Sequence, residues 1–387
     1  MPDSAAPRLY LDHNATTPLH PDVLEAMTRV LREVYGNPSS SHALGAAART
    51  ELARARGQVA ELVGFRDDEI VFTAGATEAN NTAVASVCLR CDAPPGELVT
   101  STLEHPSIAE PAAHLAAAGG KLTRVEVDAE GRIDPAVLAE ALSSQTHLVS
   151  ILWANNETGV IQDVPAIAAD AHQRGVPVHF DATQALGKIP VDGRAVAATM
   201  LSGSAHKFNG PKGVGFLAVR GDFPLAAWIR GGPQERRRRG GTENVAGAVG
   251  MGVAAELARR ELDQRGRRHR ALRDRLWAGI RARIPDVRSN TPFEAALPNT
   301  LSVEFRGAAG DVLVEALDLE GVCVSSGAAC ASGSVEPSPV LLALGRTPDE
   351  ARATLRFSVG LGVDADQIDR VLEILPPLVA RVRGMTP

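Results

Sequence analysis

Three chemically distinctive positions follow apolar runs that have the length of buried strands. The first is a small-residue turn at 74–77 that opens a helical pattern; its amides and the helix N-terminus suit a phosphate group. The second is Asp181, at the end of VPVHFD, and the third is Lys207, just after ATMLSGS. Each alone has an ordinary structural explanation, namely an empty turn, a helix cap or an exposed lysine.

Together the three positions match what pyridoxal phosphate (PLP) requires of a protein. PLP needs a lysine for its Schiff base, an acid against its pyridinium nitrogen and a cradle for its phosphate. Ligands of open parallel sheets collect at the carboxyl ends of the strands, where all three positions are expected. The chain contains no GxGxxG, GxxxxGK[ST], HExxH or GxSxG pattern, which removes the competing templates. The sequence therefore predicts a PLP enzyme.

A second candidate for chemistry is Cys330, which lies within the small-residue stretch SSGAACASGS. A thiol there has little to pack against and much freedom to move, whereas Cys323, within GVCVSS, is expected to face the core. Cys88 and Cys91 form one CxxC pattern, but no second pair or histidine partner completes a zinc site. These two are interpreted as helix-end residues, and a redox or metal role is the alternative.

The elements that must position these residues alternate along the first two thirds of the chain. Helical patterns, such as 45–63, 106–118 and 164–174, fall between continuously apolar strands, which predicts an α/β layer with a largely parallel sheet. The strand candidates are EIVFT (69–73), ELVTST (97–102), HLVSILWA (147–154), VPVHFD (176–181), ATMLSGS (198–204) and GVGFLAV (213–219).

Beyond residue 250 the pattern changes to a long charged helix with apolar residues at i+4 spacing from Leu272 to Ile284. Strands are predicted at 300–305, 322–326 and 354–359, and a closing amphipathic helix at 365–385. We expect a large PLP-binding domain over 15–260. Residues 1–14 and 261–387 are expected to form a smaller α+β domain that carries a mobile Cys330 loop.

Size, charge and cysteine content limit the class of protein. A chain of 387 residues is long enough for two domains around a cleft. The formal charge of −6 does not favour a nucleic-acid or membrane-surface binder. No signal peptide or apolar run of membrane-spanning length is visible. Four cysteines are too few for a disulfide framework, so a reduced, cytoplasmic protein is expected.

The ordered motifs closely resemble those of cysteine desulfurases of the NifS/IscS type, in the class-V aminotransferase group of fold-type-I PLP enzymes. The resemblance extends over essentially the whole chain, and the long segment around Cys330 is similar to the NifS/IscS branch. The matching segments are YLDHNATTP (10–18), YGNPSSSH (35–42), FTAGATEANN (72–81), LEHPS (103–107), ANNETGVIQD (154–163), HFDATQALGK (179–188), SGSAHKFNGPKGVG (202–215), GGTENVAG (240–247), SSGAACASGSVEPS (325–338) and LRFSVG (355–360).

The resemblance implies roles for residues around the cofactor ring. Lys207 would carry the Schiff base and then move the substrate Cα proton. Asp181 would pair with the pyridinium nitrogen, and Gln184 would contact the phenolic oxygen. His105 would stack on the ring and assist proton transfer.

The resemblance also implies the remaining binding residues and the sulfur acceptor. Asn156 would contact the cofactor and, with Arg356, hold the substrate carboxylate, Arg356 through a bidentate fork. Cys330 would accept the sulfur, and no resident metal is predicted beyond a transient iron–sulfur contact through Cys330. The phosphate would be held by Ala76, Thr77, Ser204, His206 and, from the other subunit, Thr242.

Among the positions that depart from the family pattern are His13, Arg237 and Leu361, the last of which replaces a frequent basic residue. His13 stands where an asparagine or tyrosine is common. Arg237 stands at a usual glycine in QERRRRGGT, and if that position needs a positive φ, the loop is expected to bend differently here.

The implied reaction converts L-cysteine to L-alanine and leaves the sulfur on the enzyme as a persulfide. A homodimer and a sulfur-acceptor or iron–sulfur scaffold protein are the implied partners. One alternative is a selenocysteine lyase or another PLP-dependent C–S lyase. A more distant alternative is a non-enzymatic iron–sulfur scaffold that uses the four cysteines.

Overall fold

The structure is a computed structural model that describes residues 8–89, 93–221, 223–326 and 336–385. Cys91 and Cys330 lie outside the described residues. The α-helices are α1 (Pro21–Glu33), α2 (Ala43–Val63), α3 (Ala76–Cys88), α4 (Pro106–Ala117), α5 (Pro135–Ala141), α6 (Val164–Gln173), α7 (Val245–Arg260), α8 (Leu262–Arg283), α9 (Gly310–Leu319), α10 (Pro339–Ala343), α11 (Pro348–Arg352) and α12 (Ala365–Arg383). The strands are β1 (Leu9–Tyr10), β2 (Ile70–Thr73), β3 (Glu97–Ser101), β4 (Lys121–Val125), β5 (Thr146–Leu152), β6 (Val178–Asp181), β7 (Met200–Ser204), β8 (Gly215–Val219), β9 (Val287–Ser289), β10 (Thr300–Phe305), β11 (Val322–Cys323), β12 (Ser325–Ser326) and β13 (Thr354–Ser358).

A seven-stranded sheet with the order β2-β8-β7-β6-β5-β3-β4 forms the centre of the fold. Strand β8 runs antiparallel to both β2 and β7, whereas β3 to β7 pair in parallel. The carboxyl ends of β2, β3, β5, β6 and β7 therefore lie along one edge. The predicted α/β architecture with a mainly parallel sheet is confirmed.

Apolar packing on both faces explains why the central strands are almost continuously hydrophobic. Helices α2, α6 and α7 contribute to one buried cluster with the sheet, and α3 and α4 contribute to another. Helix starts are fixed locally: His105 and Asp163 cap α4 and α6 through their side chains, each followed closely by a proline. The predicted helices at 45–63, 106–118 and 164–174 are confirmed as α2, α4 and α6.

A second, antiparallel sheet with the order β12-β13-β10-β9 lies in the last third of the chain. Helices α8, α9 and α12 pack on it, and their cluster includes Leu272, Leu276, Ile280 and Ile284, at the predicted spacing. Leu9 and Leu11 belong to the same cluster, and β1 pairs in parallel with β11. The division into domains at residues 15 and 261 stays a prediction.

Three local expectations differ from the structure. The strand expected at 322–326 is two strands in different sheets, β11 beside β1 and β12 beside β13. Cys323 is half-buried rather than in the core, because in this edge strand Val322 and Val324 take the buried positions and the Cys323 sulfur lies 4.0 Å from Asp318 Oδ1. Arg237 adopts a φ of 65°, so the loop keeps the left-handed conformation that a glycine favours.

Strand β4 and helix α5 were not among the predicted elements. Within the described ranges, no helix is long and apolar enough to cross a membrane.

Candidate active site

A cavity of about 520 Å³ opens at the carboxyl edge of the central sheet. It is bounded by the ends of β2, β5, β6 and β7 and by β13 from the second sheet. Thr242 is exposed and is not part of its lining. The predicted site residues that line it are Ala76, Thr77, His105, Asn156, Asp181, Gln184, Ser204, His206, Lys207 and Arg356.

One end of the cavity has the features of a phosphate cradle. The first backbone hydrogen bond of α3 runs from the Ala79 amide to the Gly75 carbonyl, so the amides of the first turn, at 76–78, have no carbonyl acceptor within the helix. The helix dipole and the side chains of Thr77 and Ser204 favour an anion at this end. Glu78, in the same turn, is paired with Arg239 through two contacts of 3.0 and 3.3 Å, which offsets its charge.

His206 lies at the same end and is half-buried. Burial, together with the nearby charges of Lys207 and Lys212, lowers the pKa of His206 to about 4. The imidazole is therefore neutral at physiological pH and serves as a polar contact rather than a cation. Its Nδ1 lies 3.1 Å from Thr16 Oγ1.

Asp181 is held rigidly at the end of β6. Its Oδ2 accepts a hydrogen bond from Asn80 Nδ2 (2.7 Å) and its Oδ1 accepts one from the Thr183 amide (2.9 Å). Behind Asn80, a buried chain of hydrogen bonds passes through Ser202 to His179. Burial lowers the pKa of His179 to about 4, so this chain is uncharged. The carboxylate is fixed in position by neutral donors, as an acid opposite a ring nitrogen must be.

Lys207 reaches the cavity from the short turn that follows β7. Its Nζ donates hydrogen bonds to the carbonyl oxygens of Asn14 (2.8 Å) and Ala15 (2.7 Å). Gln184 Nε2 donates to the same Asn14 carbonyl at 2.9 Å. The Asn14 carbonyl therefore accepts hydrogen bonds from both Lys207 and Gln184. Gln184 is the residue predicted to contact the phenolic oxygen of the ring.

His105 has a defined tautomer in this arrangement. Its Nδ1 accepts a hydrogen bond from the Ser107 amide at 3.1 Å, and a backbone N–H can only donate. Burial, and secondarily the charge of Lys207, lowers the pKa of His105, so the ring is neutral. The proton of the neutral ring lies on Nε2, which makes His105 a donor at that nitrogen.

Arg356 is fully buried on β13 beside the cavity. Its Nη2 contacts Asp12 Oδ1 at 2.7 Å and its Nη1 donates to the Asn156 carbonyl at 3.1 Å. Its Nε has no hydrogen-bond partner in the part of the chain that the structure describes. A guanidinium has five N–H donors, so this side chain keeps capacity for a ligand carboxylate.

The described residues on both sides of 327–335 lie beside Arg356 and Glu157. Ser325 is paired opposite Arg356 between β12 and β13. Ser338 donates a 2.5 Å hydrogen bond to Glu157, the neighbour of Asn156 in the chain. Burial raises the pKa of Glu157 to about 7. Both flanks of the Cys330 segment are thus anchored where the substrate carboxylate is expected.

These residues fit PLP on structural grounds. The cavity combines a helix N-terminus for a phosphate, a carboxylate held by neutral donors and a lysine amine, all at one sheet edge. The described residues that line the cavity include neither a dinucleotide-binding motif nor a group of metal ligands.

Comparisons with known proteins agree with this reading of the geometry. The family model of class-V aminotransferases matches residues 9–371. A cysteine desulfurase of Cereibacter sphaeroides is 47% identical and aligns over 98% of each chain. The cysteine desulfurase IscS of Dictyoglomus turgidum is 41% identical over 98% of this chain and 96% of its own. The solved structure of a NifS-like protein superimposes with a TM-score of 0.91 at 35% identity, covering 97% of this chain and 100% of that one.

The chain belongs to the class-V aminotransferase family. Within that family its full-length relatives place it with the cysteine desulfurases of the NifS/IscS type. The expected fold type I and the PLP cofactor are thereby confirmed.

Sequence reasoning missed several polar residues that support the site. Asn14 bonds to Asn156, Thr300 and Ser358, and Asn80 holds Asp181. Both lie inside motifs that carried the family resemblance, which was the available signal. Glu104, whose pKa burial raises to about 8, also lies in such a motif, directly before His105.

Proposed function

We propose that the residues gathered in this cavity carry out PLP-dependent desulfuration of L-cysteine, with Cys330 as the sulfur acceptor. The observation that carries the proposal is the convergence of Lys207, Asp181 and Arg356 on one cavity at the edge of the central sheet. Full-length relatives named cysteine desulfurases support the same activity.

When bound, PLP withdraws electrons from the substrate Cα and so makes its proton and the neighbouring Cβ–S bond labile. Lys207 is placed to remove the Cα proton and return it. The carbonyls of Asn14 and Ala15 orient its amine through bonds of 2.8 and 2.7 Å. Asp181, fixed by Asn80 and Thr183, favours the protonated ring nitrogen.

Arg356 and Asn156 orient the substrate by its carboxylate. The charge-assisted contact needs donors that are already directed, and Asp12 fixes the guanidinium from one side. His105 lines the cavity and carries its proton on Nε2, so that nitrogen can act only as a donor, to the ring or to the substrate sulfur as charge develops. It cannot accept a proton at Nε2 in the tautomer that Ser107 imposes.

The sulfur transfer balances without an external oxidant. The Cys330 thiolate bonds to the substrate sulfur while the Cβ–S bond breaks, and the electron pair of that bond remains on Cβ, which is then protonated. The products are L-alanine and a persulfide on Cys330. Ser325 and Ser338, on either side of this segment, lie near Arg356 and Glu157, which supports delivery of the thiol to the substrate.

The partners and location are also proposals. A homodimer would allow Thr242 to complete the phosphate cradle of the other subunit, consistent with its exposure here. A sulfur-acceptor or iron–sulfur scaffold protein in the cytoplasm would receive the persulfide sulfur for cluster, thio-cofactor or tRNA synthesis.

Selenocysteine lyase activity is the alternative within the same site, because the carboxylate and ring contacts do not distinguish sulfur from selenium. Comparing turnover of cysteine and selenocysteine separates the two. The distant scaffold alternative predicts bound iron in a protein without the PLP chromophore, whereas the proposed function predicts a yellow protein that borohydride bleaches.

The decisive experiment compares Cys330→Ser with Cys323→Ser. We expect Cys330→Ser to bind PLP and cysteine but to release almost no sulfur, because a serine hydroxyl neither ionises at neutral pH nor forms a persulfide. Cys323→Ser should keep its activity, since Cys323 lies on an edge strand outside the cavity lining. Peptide mapping after labelling with radioactive cysteine sulfur gives the acceptor directly, and label on any other cysteine would refute this role of Cys330.

A further inference from the structure

The few lysines of this chain are concentrated at the cofactor cavity. The sequence contains 4 lysines and 36 arginines, so arginine serves almost everywhere as the cation. Lys207 and Lys212 line the cavity, and Lys188 lies directly behind it. A lysine amine differs from a guanidinium in that it is compact and can lose its proton when buried. The choice of lysine at position 188 therefore needs a chemical reason.

Lys188 is buried and its Nζ is held by two uncharged oxygens. It donates to Gln184 Oε1 at 2.5 Å and to Asn14 Oδ1 at 3.0 Å. Within the described ranges it forms no ion pair. The charged and titratable groups that act on it are Lys207 and Arg356, with His13, His206 and His269 also close enough to be affected by it. Burial and these cations hold the pKa of Lys188 well below its usual range.

These two contacts determine how the site-forming amides are oriented. Because Lys188 donates to Gln184 Oε1, the Gln184 amide must direct Nε2 to the Asn14 carbonyl, at 2.9 Å, and to the cavity. The same carbonyl accepts the hydrogen bond of Lys207. Asn299 also donates to Asn14 Oδ1, at 3.0 Å. Removing the amine would leave Gln184 free to turn its acceptor, instead of its donor, toward the cofactor.

We propose that Lys188 is a positioning residue for PLP, which acts through Gln184 and Asn14 to present an N–H donor to the ring and to orient Lys207. This inference rests on the cofactor site of the proposed function. In this role Lys188 itself contacts neither the substrate nor the cofactor.

The test is a double-mutant cycle with Lys188→Met and Gln184→Leu, measured on the full-length chain. The readouts are the dissociation constant of PLP for the cofactor-free protein and the absorption maximum of the bound cofactor. We expect Lys188→Met to weaken PLP binding about 10-fold, because buried acceptors lose their donor. It should shift the absorption maximum in the same direction as Gln184→Leu. In the Gln184→Leu background, Lys188→Met should have little further effect.

Lys121→Met is the matched control, since Lys121 is an exposed lysine on β4 paired with Glu97, and it should bind PLP as the unmodified chain does. Additive effects in the cycle, or an unchanged spectrum and affinity in Lys188→Met, would overturn the inference. If Lys188→Met does not fold, Lys188→Leu, which also removes the N–H donor, takes its place in the same cycle. A chain that binds no PLP in its unmodified form would refute the cofactor site itself, so the two failures are distinguishable.

Discussion

Several side chains of the candidate site are held in place by hydrogen bonds to neighbouring residues. Asp181 is fixed by two neutral donors, and His105 accepts the Ser107 amide at Nδ1. Arg356 uses Nη1 and Nη2 on Asn156 and Asp12, while Nε has no partner within the described residues. Such preorganisation lowers the cost of ordering these groups when a ligand binds.

Arg356→Lys tests the carboxylate site at this scale. The substitution keeps the positive charge but removes the fork that contacts a carboxylate at two points. A contact worth about 1.5–3 kcal/mol would be lost, so we expect KM for cysteine to rise roughly 10- to 100-fold. Bound PLP and kcat should change much less, which steady-state kinetics and the cofactor absorbance would measure.

Asp12→Asn provides the companion variant. It keeps an oxygen acceptor for Arg356 but removes the charge that fixes the guanidinium, so a smaller rise in KM is expected. An unchanged KM in Arg356→Lys would mean that the substrate carboxylate is held elsewhere.

The sequence predicted the residues that end strands but not those that support them. Asp181 and Lys207 were found because each follows an apolar run of strand length. Asn14 and Lys188 bond across a separation of 174 residues, and no local pattern indicates such a partner. The apolar neighbours of Cys323 predict a core position, but they do not determine the buried face of a strand that has only two residues, Val322–Cys323.

At the scale of elements, the loop before Thr242 combines backbone strain with a buried anchor. Glu235, Arg236 and Arg237 have φ values of 44°, 54° and 65°. The loop is fixed by Glu235, whose carboxylate contacts Arg56 twice at 2.7 Å and accepts from the Phe72 amide at 3.0 Å. Arg56 also lies over the Phe72 ring, 4.6 Å from its centroid. Since an isolated buried charge is costly, this pairing fixes the loop against β2.

Arg237→Gly tests the strain in that loop. A left-handed conformation costs a non-glycine residue roughly 1–2 kcal/mol, and glycine removes this cost. Glycine also destabilises the folded state by about 0.5–1 kcal/mol, because it loses more conformational entropy on folding. We expect a net gain in the free energy of unfolding of up to about 1 kcal/mol, visible in denaturant titration.

Arg238→Gly is the control for this prediction. Arg238 has a φ of −90°, so it carries no left-handed strain and glycine should destabilise the protein there. Equal effects of the two substitutions would contradict the assignment of strain to position 237.

Across the whole molecule, the N-terminal segment connects the two sheets at the active site. Strand β1 joins β11, Asp12 bridges to Ser358, and Asn14 bonds to Thr300 and Asn156. Lys207, from the central sheet, bonds to the backbone of the same segment. The alternation of strands and helices predicted both layers, whereas this link depends on side chains far apart in the chain.

Sharing of sites between two subunits is the prediction that concerns the assembled protein. The end of the cavity that we propose for the phosphate contains the α3 N-terminus, Ser204 and His206, while Thr242 of the same chain does not line it. If Thr242 completes the partner's cradle, a heterodimer of Lys207→Ala and Thr242→Ala chains has one intact site and one site with both defects. Desulfurase activity after subunit exchange should then exceed the mean of the two parent dimers.

Activity equal to that mean, with exchange verified by tagged subunits, would show that each chain completes its own site. Thr242→Ser, which keeps the hydroxyl, should behave as the unmodified chain in the same mixture.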